Sequence, residues 1–344
     1  MFEKLILSKT SHLQPTPQLS RDSLGDLKEL STLLLDPVKD LLSGPSKKVR
    51  SGLLLTSVGL CSQNPLDSKT IKQSHVLAEV LENLHAGSLI IDDIQDESPS
   101  RRGQASLHKK LDVPLAINAG NWLYFKALQL ISKAQLAPAL ELRVHQLCHE
   151  TLFEGHLGQA LDIGIRIDQI EQSRVPLICY SAMAMKSGAL TGLATEIGAH
   201  LAGAPDTVIE GLRDFGQSFG CVLQMFNDLR EFSHPSSGLN QDLYLRRPSW
   251  IWNVAAQSLS ASDYAELKKL LNSIFDTENS ATGITEWLRE RHIVEDARHR
   301  AEEKMRDCLV KLSMILEKNG LNPSERSDWL ELLRISSKVQ GSNE

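Results

Sequence analysis

The chain has 344 residues, 41% of them hydrophobic, which is enough to bury a large core as one big domain or two ordinary ones. A formal net charge of -6 and only 5% aromatic residues exclude a general polyanion-binding surface and a stacking platform for bases, so nucleic acid is not an expected partner. Cys61, Cys148, Cys179, Cys221 and Cys308 are odd in number, scattered and without a CxxC pair, which argues against a disulfide framework or zinc site and fits a cytoplasmic protein.

Residues 1 to 25, rich in Ser, Thr and Pro, read as an irregular lead-in, and 26 to 344 as a single domain without a convincing linker. Apolar residues at three- and four-residue spacing predict helices over 72–94, 114–134, 138–164, 176–203 and 206–232, hence an all-α fold. Pro99, Gly103, Pro138, Pro176, Pro205 and Pro235 punctuate these segments, and "SHPSSGLNQ" at 233–241 reads as a polar loop. The N-terminus lacks the basic start and long apolar run of a signal peptide, so none is expected, and no window of about 18 uncharged apolar residues occurs that could span a bilayer. A repeat of fixed period is also missing.

The stretch "LENLHAGSLIIDDIQDESPSRRGQASLH" at 81–108 sets three aspartates after an apolar run. On a helix Asp92 and Asp96 share a face and Asp93 lies about 100° round, so the group offers carboxylate oxygens to a shared cation. Such hard donors suit Mg²⁺, which bridges one or two carboxylates to substrate phosphates. A solvated acidic helix end explains an isolated DDxxD equally well, but "QMFNDLRE" at 224–231 repeats the spacing with Asn227, Asp228 and Glu231. Basic residues supply the complement. Arg101 and Arg102 follow the first cluster, and "SKKVR" brings Lys47, Lys48 and Arg50 ahead of an apolar helix.

Together these landmarks resemble the trans-isoprenyl diphosphate synthases of the polyprenyl synthetase family. "HAGSLIIDDIQDESPSRRG" is similar to that family's first aspartate-rich motif and "QMFNDLRE" stands in the place of its second. "PSKKVRSG" resembles its GGKRLRP, "GHLGQALDI" its GQxxD helix, "KSGAL" its KTGAL and "QDLYLRRPS" its DLxxGKxT, so the matched segments run from about residue 40 to 250. The resemblance implies the isoprenoid synthase fold, long helices around a central cavity, and a homodimer joined through helices such as 114–134. It implies Mg²⁺ (three ions, with Mn²⁺ a possible substitute) held by Asp92, Asp93, Asp96, Asn227, Asp228 and Glu231. Asp92, Asp93, Arg101 and Lys186 become the catalytic set. Arg101, Lys186, Gln224 and Arg247 face an allylic diphosphate, and Lys47, Arg50, His85 and Arg102 bind isopentenyl diphosphate.

Several residues also have plainer readings. His85 alone reads as a helix-face histidine, but its place seven residues before Asp92 matches the family; Lys186 lies in an otherwise uncharged run, where a charge needs an explanation. Gln159 and Asp162 are left as either core-capping groups or substrate neighbours, and Met183 and Met185 read as core. The family's chain-length positions, four and five before Asp92, are Ser88 and Gly87; both are small, which implies a C20 or longer product with Leu84 as a later stop. The chain departs from the family at Asn227 and Glu231 (usually aspartates), at Arg247 (usually lysine), in having no lysine near Ser237, and in lacking paired glycines before Lys47. Two alternatives stay open: a terpene cyclase, which would need no isopentenyl pocket and usually carries an (N/D)DxxSxxxE motif that this chain lacks, and a non-catalytic subunit of a heteromeric synthase.

Overall fold

The computed structural model describes residues 31–44, 48–62, 64–101, 103–233, 245–273 and 280–340. The expected lead-in at 1–25 and most of the 233–241 loop lie outside them. The fold is all-α, as periodicity predicted. After a π-helical turn at Ser31–Leu35 come α1 (Asp36–Ser43), α2 (Val49–Cys61) and α3 (Ser68–Gln95). A two-stranded ribbon, β1 (Ser100–Arg101) against β2 (Gln104–Ala105), pairs Ser100 with Ala105 and Arg101 with Gln104. Gly103 supplies the left-handed backbone that closes it, at φ 77°. The short α4 (Leu107–Lys110), α5 (Val113–Ile131) and α6 (Pro138–Gly164) follow, then α7 (Val175–Met183), α8 (Ala189–Leu201) and α9 (Asp206–Ser233). The C-terminal third is α10 (Trp250–Ser258), α11 (Ala261–Ser273), α12 (Ser280–Glu290), α13 (Ile293–Lys318) and α14 (Ser327–Gln340).

Local chemistry explains where these helices begin. Asp67 caps α3 by accepting the Thr70 backbone N–H at 2.6 Å, and Pro138 opens α6 where a missing N–H costs nothing. The long expected helix at 176–203 is the one that differs. A π-helical turn at Ala184–Gly188 separates α7 from α8. Apolar periodicity cannot register one inserted residue, because the ladder shifts to i→i+5 for a single turn only. Helix α6 packs closely on this turn: a Cβ on Gly158 would stand 2.7 Å from the Lys186 backbone nitrogen.

The described residues form two compact units. One is Ser88–Asn121 with the described part of Met1–Pro45; the other is Ser46–Gly87 with Trp122–Glu344. In the larger unit α8 is buried along its length from Ala189 to Ala199, and its sequence there is apolar or small except at Glu196, which accepts from Arg143 Nη2 at 3.1 Å. It packs on α2 and α9, and Thr195 Oγ1 donates across to the Leu212 carbonyl at 2.7 Å. Phe219 and Phe226 of α9 and Trp252 of α10 are among the largest fully buried side chains.

Close approach of α9 to the π turn and α8 depends on Gly220. A Cβ there would lie 2.5 Å from the Ser187 carbonyl oxygen and 2.8 Å from the Gly188 Cα. Alanine gains about 1 kcal/mol of helix propensity, but its Cβ would overlap the Thr191 hydroxyl oxygen as well as this backbone, and overpacking costs about 1–3 kcal/mol. Gly220→Ala is therefore expected to be net destabilising, seen as a lower denaturation midpoint. A midpoint at or above that of the parent protein would show that the helices can part without loss.

Candidate active site

The first cluster is built at the end of α3. Helical bonding continues past the last turn, with the Asp96 N–H donating to the Asp92 carbonyl at 2.9 Å, so Asp92 and Asp96 do share a face. Asp93 is buried, only 3% exposed. β1 brings Arg101 back onto it: Nε donates to Asp93 Oδ1 at 2.6 Å, and Nη2 stands 3.4 Å from Asp92 Oδ2. Burial of the guanidinium works against its charge, but the hydrogen bond and charge of Asp93, with the charges of Asp92 and Asp96, outweigh it and hold the Arg101 pKa above its ordinary value.

These donors fit a divalent cation. The charges of Asp93, Asp92 and Asp96 all favour the positive charge of Arg101, which marks a negative field at the end of α3. Among the described residues no group of three or more His, Cys, Asp or Glu side chains forms a ready cage.

The larger unit carries a second set of charges. On α2, Arg50 Nη1 lies 3.1 Å from His85 Nε2 on α3, and Ser51 Oγ donates to Glu82 Oε1 at 2.7 Å. A guanidinium can only donate, so His85 Nε2 accepts and its neutral ring carries the proton on Nδ1. Lys186, in the π turn, bonds Asp162 Oδ2 at 2.7 Å, and Arg247 Nη1 approaches the same oxygen at 3.9 Å. Asp162 is thus the counter-ion of two cations expected to face diphosphate. Sequence reasoning had left Asp162 undecided. Its signal was its place in the GQxxD pattern, while its partners lie 24 and 85 residues further along.

On α9, Gln224 Nε2 donates to Asp228 Oδ1 at 2.7 Å, and Arg230 Nη2 donates to Asn227 Oδ1 at 3.1 Å. Just before Arg247, Arg246 stands where the DLxxGKxT pattern has glycine and takes the left-handed conformation at φ 58°. Its carbonyl accepts from the Ile167 N–H at 2.9 Å and its Nη1 lies 3.7 Å from Asp168. These contacts offset the backbone strain and moor the segment that carries Arg247. Lys47, Arg102 and the position near Ser237 lie outside the described residues, as does the Glu231 side chain. Of the chain-length residues, Leu84 is buried at 1% exposure, and Gly87 and Ser88 follow it on α3. Met183 is core, as expected.

The sequence model of one family, Polyprenyl synthetase, matches residues 31–288, three-quarters of the chain. The chain belongs to the polyprenyl synthetase family. This family member is 30% identical over 202 residues to the geranylgeranyl diphosphate synthase of Methanosarcina mazei, covering 58% of this chain and 59% of that one. It is 31% identical over 218 residues to the short chain isoprenyl diphosphate synthase of Methanothermobacter thermautotrophicus, covering 60% of each. The matched region therefore spans about three-fifths of the length of these relatives. Among solved structures, the heptaprenyl diphosphate synthase of Staphylococcus aureus superposes with a TM-score of 0.72 at 19% identity, covering 100% of this chain and 98% of that one. That likeness establishes the polyprenyl synthetase fold.

Proposed function

We propose that this polyprenyl synthetase family member is a trans-prenyltransferase that condenses isopentenyl diphosphate with an allylic diphosphate to give geranylgeranyl diphosphate or a longer chain. The observation that carries the reading is the buried Asp93 carboxylate, held with Asp92 against Arg101 in the last turn of α3. Asp92, Asp93 and Asp96, with Asn227 and Glu231 of the second cluster, provide oxygen donors for divalent cations, three Mg²⁺ with Mn²⁺ as a substitute. When bound, Mg²⁺ neutralises the diphosphate oxygens and makes that group a better leaving group. Arg101, Lys186 and Arg247 contact the same diphosphate and stabilise the charge it gains as the allylic carbon–oxygen bond breaks.

Lys47, Arg50, His85 and Arg102 hold isopentenyl diphosphate, with Arg50 and Arg102 offering planar forks to its oxygens. Its double bond attacks the allylic cation, and the proton then lost passes to the departed diphosphate. Apolar helix walls keep water from quenching the cation. Small side chains at Gly87 and Ser88 leave room for growth as far as Leu84. The exposed Ile117 and Phe125 on α5 support a homodimer through that helix. Among the described residues no helix is long and apolar enough to cross a membrane, and a cytoplasmic location follows from the cysteine pattern.

Purified protein incubated with Mg²⁺, labelled isopentenyl diphosphate and each of dimethylallyl, geranyl and farnesyl diphosphates tests this directly. Label in a diphosphate of 20 carbons or more is the expected result. Hydrocarbon from the allylic substrate alone would replace the reading with a cyclase, and no turnover of any kind would leave a non-catalytic subunit.

A further inference from the structure

The second cluster resembles the first in spacing, yet its central carboxylate is used differently. Asp228 is 4% exposed, and each of its oxygens accepts a short hydrogen bond. Oδ1 receives the Gln224 side-chain amide at 2.7 Å, and Oδ2 receives the backbone N–H of Trp250 at 2.7 Å. Trp250 is the first residue of α10, whose own N-cap residue, Ser249, makes no side-chain capping bond. Asp228 therefore caps α10 from a distance of 22 residues, supplying an anion where the helix presents unpaired donors and the positive end of its dipole.

The chain of contacts extends further. Gln224 Oε1 accepts from Ser187 Oγ at 3.0 Å, and Ser187 is the neighbour of Lys186 in the π turn. Arg247 lies three residues before the capped Trp250. One buried carboxylate thus ties together the turn bearing Lys186, the amide of Gln224 and the start of α10 behind Arg247. Turning either oxygen to a metal would strand a buried donor, at the cost of an unsatisfied polar group.

We propose that Asp228 is a positioning residue that orients Gln224, Lys186 and Arg247 towards diphosphate, and is not itself a metal ligand. This deepens the prenyltransferase reading and rests on it for the identity of the anion. Asparagine can retain both contacts by flipping the Gln224 amide and reorienting the Ser187 hydroxyl, whereas alanine cannot.

The test uses the full chain with inorganic pyrophosphate and Mn²⁺, counting bound ions by electron paramagnetic resonance, alongside thermal melting without metal or pyrophosphate. Asp228→Asn should bind the parent number of Mn²⁺ ions with parent pyrophosphate affinity. Asp228→Ala should melt roughly 4 °C or more lower and bind pyrophosphate about tenfold more weakly, with asparagine restoring that affinity. Loss of one Mn²⁺ in Asp228→Asn would overturn the proposal, as would parent-like pyrophosphate binding by Asp228→Ala, whether or not its melting fell. A parent protein that binds neither Mn²⁺ nor pyrophosphate would sink the prenyltransferase reading instead. Metal-free melting of Asp228→Ala would still decide whether the cap exists, and unchanged melting would overturn it.

Discussion

Asp93→Ala is expected to lower turnover by about 10²–10³-fold or more, the loss seen when one preorganised stabiliser of developing charge is removed. The side chain of Asp93 is 4% exposed and is the main anchor of Arg101, so the change removes a metal donor and frees the guanidinium together. Arg101 is 26% exposed and can turn back to water or to Asp92, so its loss of a partner should cost less stability than the 3–5 kcal/mol typical of a fully buried pair. Activity should therefore fall far more than the melting temperature. Single-turnover kinetics beside a melting curve separate the two effects. Unchanged turnover in a folded Asp93→Ala protein would refute the metal role of the cluster.

Ser88→Phe should shift the product to shorter chains without stopping the first condensation. Ser88 lies one helical turn, roughly 6 Å, before Asp92 on α3, and Leu84 lies one turn further. In the proposed reaction the growing chain extends along that face, so an aromatic ring at 88 meets it before the buried Leu84 does. A chain blocked there is released early, because each further condensation needs the tail to move on by one unit. Chromatography of dephosphorylated products would reveal loss of the C20 and longer species with C15 or shorter species in their place. The same product distribution at comparable turnover would contradict the steric argument.

These expectations draw on features that differ in how openly the sequence displays them. Helix α6 coincides with its expected 138–164 because Pro138 marks its start and its apolar spacing persists to Gly164. The aspartates at the end of α3 were readable for the same reason, since i and i+4 share a face wherever a helix forms. Lys186 was conspicuous as a lone charge in "CYSAMAMKSGALTGLA", but nothing nearby named Asp162 as its partner or foretold the π turn that carries it. Nothing in the local sequence marks Arg246, and only the backbone reveals it in a left-handed conformation moored to Ile167 and Asp168.

By itself the sequence determined the helical class, the approximate limits of α3, α5, α6 and α9, the two oxygen-rich clusters and the family to which they belong, because each is written in residues a few positions apart. The tertiary structure alone decided which charges are paired and what each carboxylate does. Asp93 and Asp228 stand at the same point of similar local patterns, yet one is bonded to a guanidinium and the other caps a helix that begins 22 residues later. Such assignments depend on which distant donors reach a buried oxygen first. Chain folding sets that through the packing of α6, α9 and the start of α10, and local spacing carries no record of it.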